Sequence, residues 1–136
     1  HKRLQGYREA FLECGLPVPD NLVFLNMEQP DVLEQKLEQI LAQGVEVILC
    51  MDDMLCGRVL KKLRTKKIPV PQQVKVASFY HSTILEQNVP SVTSLSFDGK
   101  ELGQTACRRL MEQIEGKTPE RVTILGYELV LGDSTE

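Results

Sequence analysis

The sequence predicts an α/β architecture: an open parallel sheet flanked by helices and wound with right-handed crossovers. Three observations carry that expectation. Segments with a helical apolar period alternate along the chain with short apolar runs. The run Val45 to Met51 is apolar except for Glu46, as in a strand covered on both faces. Asp98 followed by Glu101 has the spacing of a capping box and marks a helix start.

Each element has its own signal. Leu4, Tyr7, Phe11 and Cys14 recur at helical spacing and stop at Gly15, before Pro17 and Pro19, which predicts a helix over about 2–14. Leu22 to Asn26 reads as a strand. Asp31 and Glu34 form a first capping box, with Leu33, Leu37, Ile40 and Leu41 on one face and Gly44 at the end. After the strand at 45–51, Cys56, Val59, Leu60 and Leu63 line one side of a helix over 54–67. Pro69 and Pro71 break the chain, and Val74, Val76, Ala77 and Phe79 form a short buried strand. A long polar loop is expected over 80–90, then a strand from Val92 to Phe97. Phe97 and Leu102 flank the Asp98 box as a hydrophobic staple, and Leu102, Ala106, Leu110 and Ile114 give a stripe running to Gly116. Val122 to Leu131 closes the chain as a strand.

At 136 residues the chain is long enough for one domain with a real core. Sixteen basic against 19 acidic residues give a net charge of -3, so no general attraction to phosphate backbones is available to this segment. No apolar run approaches the ~20 residues of a membrane span, and no membrane association is expected. Cys14, Cys50, Cys56 and Cys107 contain no C-x-x-C and lie in apolar segments, as expected of reduced, buried thiols in a cytoplasmic protein. His1 and His81 have no partners at ligand spacing, so no metal site is expected, and no motif implies a cofactor.

In sheets of this kind ligands sit beyond the carboxyl ends of the strands. Three stretches meet that description: Asn26 to Gln29, Met51 to Asp53 and Tyr80 to Ser82. Of the two aspartates, Asp53 is expected to cap the following helix, leaving Asp52 freer to reach a polar ligand. Adjacent carboxylates leaving a strand diverge, which suits them poorly to two-carboxylate hydrolysis. Arg3 reads as a solvated arginine unless it lies in a cleft, where its planar fork holds two ligand oxygens. His81 reads as an exposed loop histidine, and Cys50 as core rather than nucleophile. No catalytic residue is expected.

Several segments, in order, carry a resemblance. Arg3-Leu4-Gln5-Gly6-Tyr7-Arg8-Glu9-Ala10-Phe11 is similar to the R-x-x-G-[YF]-x-x-A-[LF] helix of the lac and galactose repressor family (LacI/GalR). The stretch from Ile48 through Asp52-Asp53-Met54 to Gly57 resembles that family's strand and N-D-x-x-A-x-G turn. Val70-Pro71-Gln72-Gln73-Val74-Lys75-Val76 resembles V-P-x-D-V-x-V. Pro90-Ser91-Val92-Thr93-Ser94-Leu95, followed by Leu102-Gly103, is similar to the family's P-x-L-T-[ST]-[VI] strand and L-G-x-x-A helix, and Glu128-Leu129-Val130 with Ser134-Thr135 resembles its ending.

The resemblance implies a type I periplasmic-binding-protein-like fold, here the second lobe (about 1–91), a crossover and helix of the first lobe (about 92–122) and a return strand (about 123–136). It implies that a DNA-binding helix-turn-helix head and the first lobe lie upstream of His1, so that DNA is reached only through that head. It further implies a small-molecule effector of the sugar or nucleoside class, a homodimer and no enzymatic activity. Carried over by position, Arg3 matches the effector-binding arginine, Asp52 the asparagine of the turn and Asp53 the aspartate after it. Asn26 and Phe97 complete the expected ligand-facing set, with Asp98 as a helix cap. The family's ligand-holding aspartate is Tyr80 here. A phenol hydrogen-bonds and stacks but brings no charge. Two other readings are a solute-binding protein of a sugar transporter, which shares the fold, and a hydrolase using Asp52 or Asp53.

Overall fold

The computed structural model describes residues 2–27 and 29–136; His1 and Glu28, the latter within the stretch singled out at 26–29, lie outside the described residues. Helix α1 (Lys2–Glu13) is followed by a 3-10 turn at Asp20–Leu22, α2 (Pro30–Ala42), β1 (Val47–Cys50) and α3 (Asp53–Thr65). Then come β2 (Lys75–Ser78), α4 (Thr83–Glu86), β3 (Thr93–Ser96), α5 (Gly99–Ile114) and β4 (Glu128–Val130). The sheet order is β1-β2-β3-β4. The first two pairings are parallel and β4 runs antiparallel to β3, with Ser94 opposite Val130 and Ser96 opposite Glu128. The sheet is thus mixed at one edge rather than wholly parallel.

The core lies between α2, α3 and the sheet. Cys56, Val59, Leu60 and Leu63 of α3 are all buried, as their spacing requires, against Leu33 and Leu37 of α2, Cys50 of β1 and Val76 of β2. Outside this core Lys62 and Lys66 of α3 pair with Glu34 and Glu38 of α2. Hydrogen bonding from Lys62 holds the Glu34 carboxyl below its ordinary range, and hydrogen bonding to Glu38 holds the Lys66 ammonium above its own. The C-terminal residues close the amino ends of β2 and β3: Ser134 Oγ donates to the Val76 carbonyl and accepts from the Thr93 amide at 3.0 Å. Gly132 permits this approach, since a Cβ there would stand 2.7 Å from the Ser91 carbonyl oxygen.

Several expectations are corrected. Leu22 to Asn26 is no strand: the 3-10 turn ends at Leu22 and the following residues pair with nothing in the sheet, so β1 is an edge. Val47 and Leu49 accordingly stay exposed, and β1 is covered on one face only. Asp31 does not cap α2. The helix begins one residue earlier, at Pro30, with Gln29 in the cap position and no side-chain bond there. The 80–90 loop contains α4, which buries Leu85. Only Glu128–Val130 of the expected 122–131 strand pairs, and Val122 and Ile124 are exposed. The stripe of α5 is also uncovered, as α5 has no buried residue, and Phe97 and Leu102 are both exposed. Cys50 and Cys56 are buried, but Cys14, in the turn just past α1, and Cys107, on α5, which has no buried residue, are exposed.

Candidate functional site

Because β1, β2 and β3 are parallel neighbours, their carboxyl ends lie side by side. The segments leaving them carry Met51-Asp52-Asp53, Phe79-Tyr80-His81 and Phe97-Asp98. Arg3, in the first turn of α1, reaches the first of these: its Nη1 donates to the Met51 carbonyl at 2.7 Å, across 48 residues of sequence. The guanidinium is therefore tethered at the end of β1, at the residue before Asp52, while Arg3 itself stays exposed as the sequence reading expects.

Asp52 has an extended backbone (φ -152°) and its Oδ1 accepts from the Leu55 amide at 2.8 Å. It is the helix cap. This corrects the expected assignment to Asp53, which is already the first residue of α3 and, among the described residues, accepts only from the adjacent Met54 amide at 2.9 Å. A capping carboxylate satisfies free helix donors with one oxygen and has further acceptor capacity on the other. The cap position thus leaves a ligand role open to Asp52. Asp98 caps α5 by accepting from the Lys100 and Glu101 amides at 2.8 and 3.0 Å.

Tyr80 is 47% exposed, yet its backbone is fixed. The Tyr80 amide donates to Ser78 Oγ at 3.1 Å and that hydroxyl donates back to the Tyr80 carbonyl at 2.9 Å. The Phe79 amide donates to the Cys50 carbonyl at 2.9 Å, which ties this bend to the end of β1. Phe97 is 48% exposed and directly follows β3. Asn26 adopts a left-handed φ of 59° in the unpaired segment. Among the described residues no hydrogen bond joins it to Arg3, Asp52 or Tyr80, so the structure does not bring it into their group.

His81 differs from its expected place in solvent. It is half-buried; its amide donates to the Leu95 carbonyl at 2.9 Å and its Nδ1 lies 2.9 Å from Ser94 Oγ, with Nε2 4.0 Å from Glu86. Sequence reading missed this pair because the only signal was a hydroxyl in the alternation of β3. The Cys50 thiol, next to Cys56, is pushed well above its ordinary range by hydrogen bonding to that thiol and by burial. A protonated, buried thiol is a poor nucleophile.

Two hollows flank this end of the sheet. An apolar cavity of about 200 Å³ lies between α1, the 22–27 segment, α2 and β1. It holds none of the polar candidates and is the packing gap left where the expected strand fails to pair. A polar hollow of about 470 Å³ opens near the end of β3, between Ser96, Asp98, Glu101 and Glu128. Among the described residues no group of acidic, cysteine or histidine side chains has the arrangement of a metal site.

The periplasmic binding protein-like domain family matches residues 1–135, and the chain belongs to that family; the relatives and solved structures it is similar to are LacI-type regulators. It is 30% identical to the HTH-type transcriptional regulator CelR of Thermobifida fusca over 91% of this chain and 37% of that protein. It is 27% identical to the HTH-type transcriptional regulator AscG of Escherichia coli (strain K12) over 85% of this chain and 35% of that protein. Among solved structures, transcription regulator CcpA of Lactococcus lactis superposes with a TM-score of 0.86 at 26% identity, covering 98% of this chain and 50% of that one. A CelR–cellobiose complex superposes with a TM-score of 0.83 at 31% identity, covering 97% of this chain and 41% of that one. The chain thus spans little more than a third of the curated relatives it matches.

Proposed function

We propose that this chain is the effector-sensing and dimerisation region of a LacI-type DNA-binding transcriptional regulator. Its ligand is a small, hydroxyl-rich molecule of the sugar class, bound beyond the carboxyl ends of β1, β2 and β3. The observation that carries the reading is the Arg3 guanidinium fixed on the Met51 carbonyl, beside Asp52. Arg3 supplies fork-shaped donors, Asp52 the acceptor oxygen left over from its cap, and the exposed rings of Tyr80 and Phe97 supply stacking faces. A puckered sugar ring, with hydroxyl groups at its rim and an apolar C–H face, meets all three.

In this reading residues 1–91 form one lobe, 92–122 the crossover and a helix of the other, and 123–136 the return. The absence of any buried residue on α5, with Leu102, Leu110, Met111 and Ile114 all exposed, supports that division. A partner lobe covers the cleft, and effector binding shifts the angle between lobes if affinity differs between open and closed arrangements. DNA is contacted by a helix-turn-helix head outside this chain, the protein acts as a homodimer, and it works in the cytoplasm without catalysis. Among the described residues no helix is long and apolar enough to cross a membrane. The curated relatives are named as regulators, which favours this reading over a transporter's solute-binding protein.

Calorimetric titration of the intact protein with a panel of sugars and nucleosides tests the assignment. Saturable binding by one of them, reduced at least roughly tenfold in Arg3→Ala by loss of a charge-assisted hydrogen-bond donor, is expected. Binding that survives that substitution unchanged would remove Arg3 from the cleft.

A further inference from the structure

We propose that His81 is a positioning residue for Tyr80, acting through a tautomer that its contact with Ser94 selects. Ser94 is 1% exposed and its Oγ donates to the Val92 carbonyl at 3.2 Å. With the hydroxyl proton directed to that carbonyl, as proposed here, the hydroxyl accepts from the imidazole, which puts the proton of a neutral His81 on Nδ1. The ring is thereby hung from the middle of β3 by its side chain, while its own amide hangs from the Leu95 carbonyl one residue further on. These two attachments to β3, the Ser78 hydroxyl on β2 and the Phe79 amide on β1 hold the residue between them, Tyr80, from three strands.

This frame leaves Tyr80 only its side-chain rotations. The phenol is exposed but its stem is fixed relative to the β1 end, where Arg3 and Asp52 stand. Contacts held in place before a ligand arrives lose less entropy on binding. The consequence for affinity rests on the proposed ligand cleft; the positioning itself does not. Glu86 faces the ring's Nε2 from α4 and is 61% exposed, while β3 presents the neutral Ser94 and the Leu95 carbonyl. The polar bond that fixes the ring is therefore the one to Ser94.

The test is made in the intact protein with His81→Leu, His81→Asn and Ser94→Ala. Nitrogen-15 correlation spectra of the imidazole are expected to show the Nδ1–H tautomer; a predominant Nε2–H tautomer would overturn the proposal. Amide exchange at positions 80 and 81 is expected to quicken roughly three- to tenfold in His81→Leu and Ser94→Ala, the weight of one hydrogen bond. The Val76 amide, bonded to the Ser134 carbonyl, serves as the unchanged reference. His81→Asn keeps a donor near the Nδ1 position and is expected to restore slow exchange. Equal exchange in His81→Leu and the unaltered protein would also overturn the proposal. Cellobiose serves as the binding probe: failure of the unaltered protein to bind it counts against a cellobiose effector, while the spectra and exchange rates still decide the role of His81.

Discussion

Asp52 carries two possible duties, and the two are separable by substitution. As the cap of α3 its Oδ1 accepts from the Leu55 amide. Asparagine keeps that acceptor and removes the charge, whereas alanine removes both. Asp52→Asn is therefore expected to melt within a few degrees of the unaltered protein, and Asp52→Ala to lose about 1 kcal/mol, the usual weight of a cap. A ligand that reads the charge would weaken in both variants. Thermal melts and calorimetry run on the same samples separate the effects. Gly132 is a second single-residue test. Alanine there places a carbon 2.7 Å from a backbone carbonyl oxygen, and backbone yields less readily than a side chain. Gly132→Ala is expected to destabilise by about 1–3 kcal/mol, read by urea unfolding. The buried Cys50 and Cys56 should resist iodoacetamide in the native state and react once the chain unfolds.

Between elements, α2 and α3 are joined by an apolar seam and an ion network above it. The seam carries more weight: Leu63 is fully buried, and Leu63→Ala is expected to cost about 2–5 kcal/mol. The network is solvent-exposed and contributes modestly, but it gives a defined pH signature. The Glu34 carboxyl is depressed in the fold, so its contribution is present above the unfolded carboxylate value and is lost as pH falls through the folded one. Lys66 is raised, so its contribution is present below the unfolded lysine value and disappears as pH rises through the folded one. Glu34→Gln should thus lower the melting temperature slightly at neutral pH and leave it unchanged in acid below the depressed folded carboxyl value, where Glu34 and its glutamine replacement are both neutral. An equal effect at both values would show that packing, not charge, had been altered.

For the whole molecule the decisive feature is where apolar surface is left uncovered. The core is concentrated in 30–95, while α5 and the segment leading to β4 expose Leu102, Leu110, Ile114, Val122 and Ile124. A surface of that kind marks an interaction site. With the proposed division into lobes, Leu110→Glu combined with Ile114→Glu is expected to separate the lobes of the intact protein. The proteolytic pattern would change near 97–99 while the 30–95 core stays resistant. Unchanged protease sensitivity would count against the assignment of α5 to the other lobe.

Local pattern alone determined much of this protein. The spacing of Cys56, Val59, Leu60 and Leu63 fixes which face of α3 is inside, Asp98 announces its helix, and the order of motifs gives the family, because period and capping act over a few residues. Tertiary structure decided what depends on partners distant in sequence. Leu22 to Asn26 has the composition of a strand, but a strand exists only where a neighbour offers its ladder, and none pairs with it here. Which of Asp52 and Asp53 caps α3 turned on one residue's backbone angle. That Arg3 meets the end of β1, 48 residues away, and that His81 hangs from Ser94, follow from the packing of α1 and the alignment of parallel strands. Hydrogen bonds of that reach leave no periodic trace in a sequence, since they depend on where the chain returns rather than on what stands beside each residue.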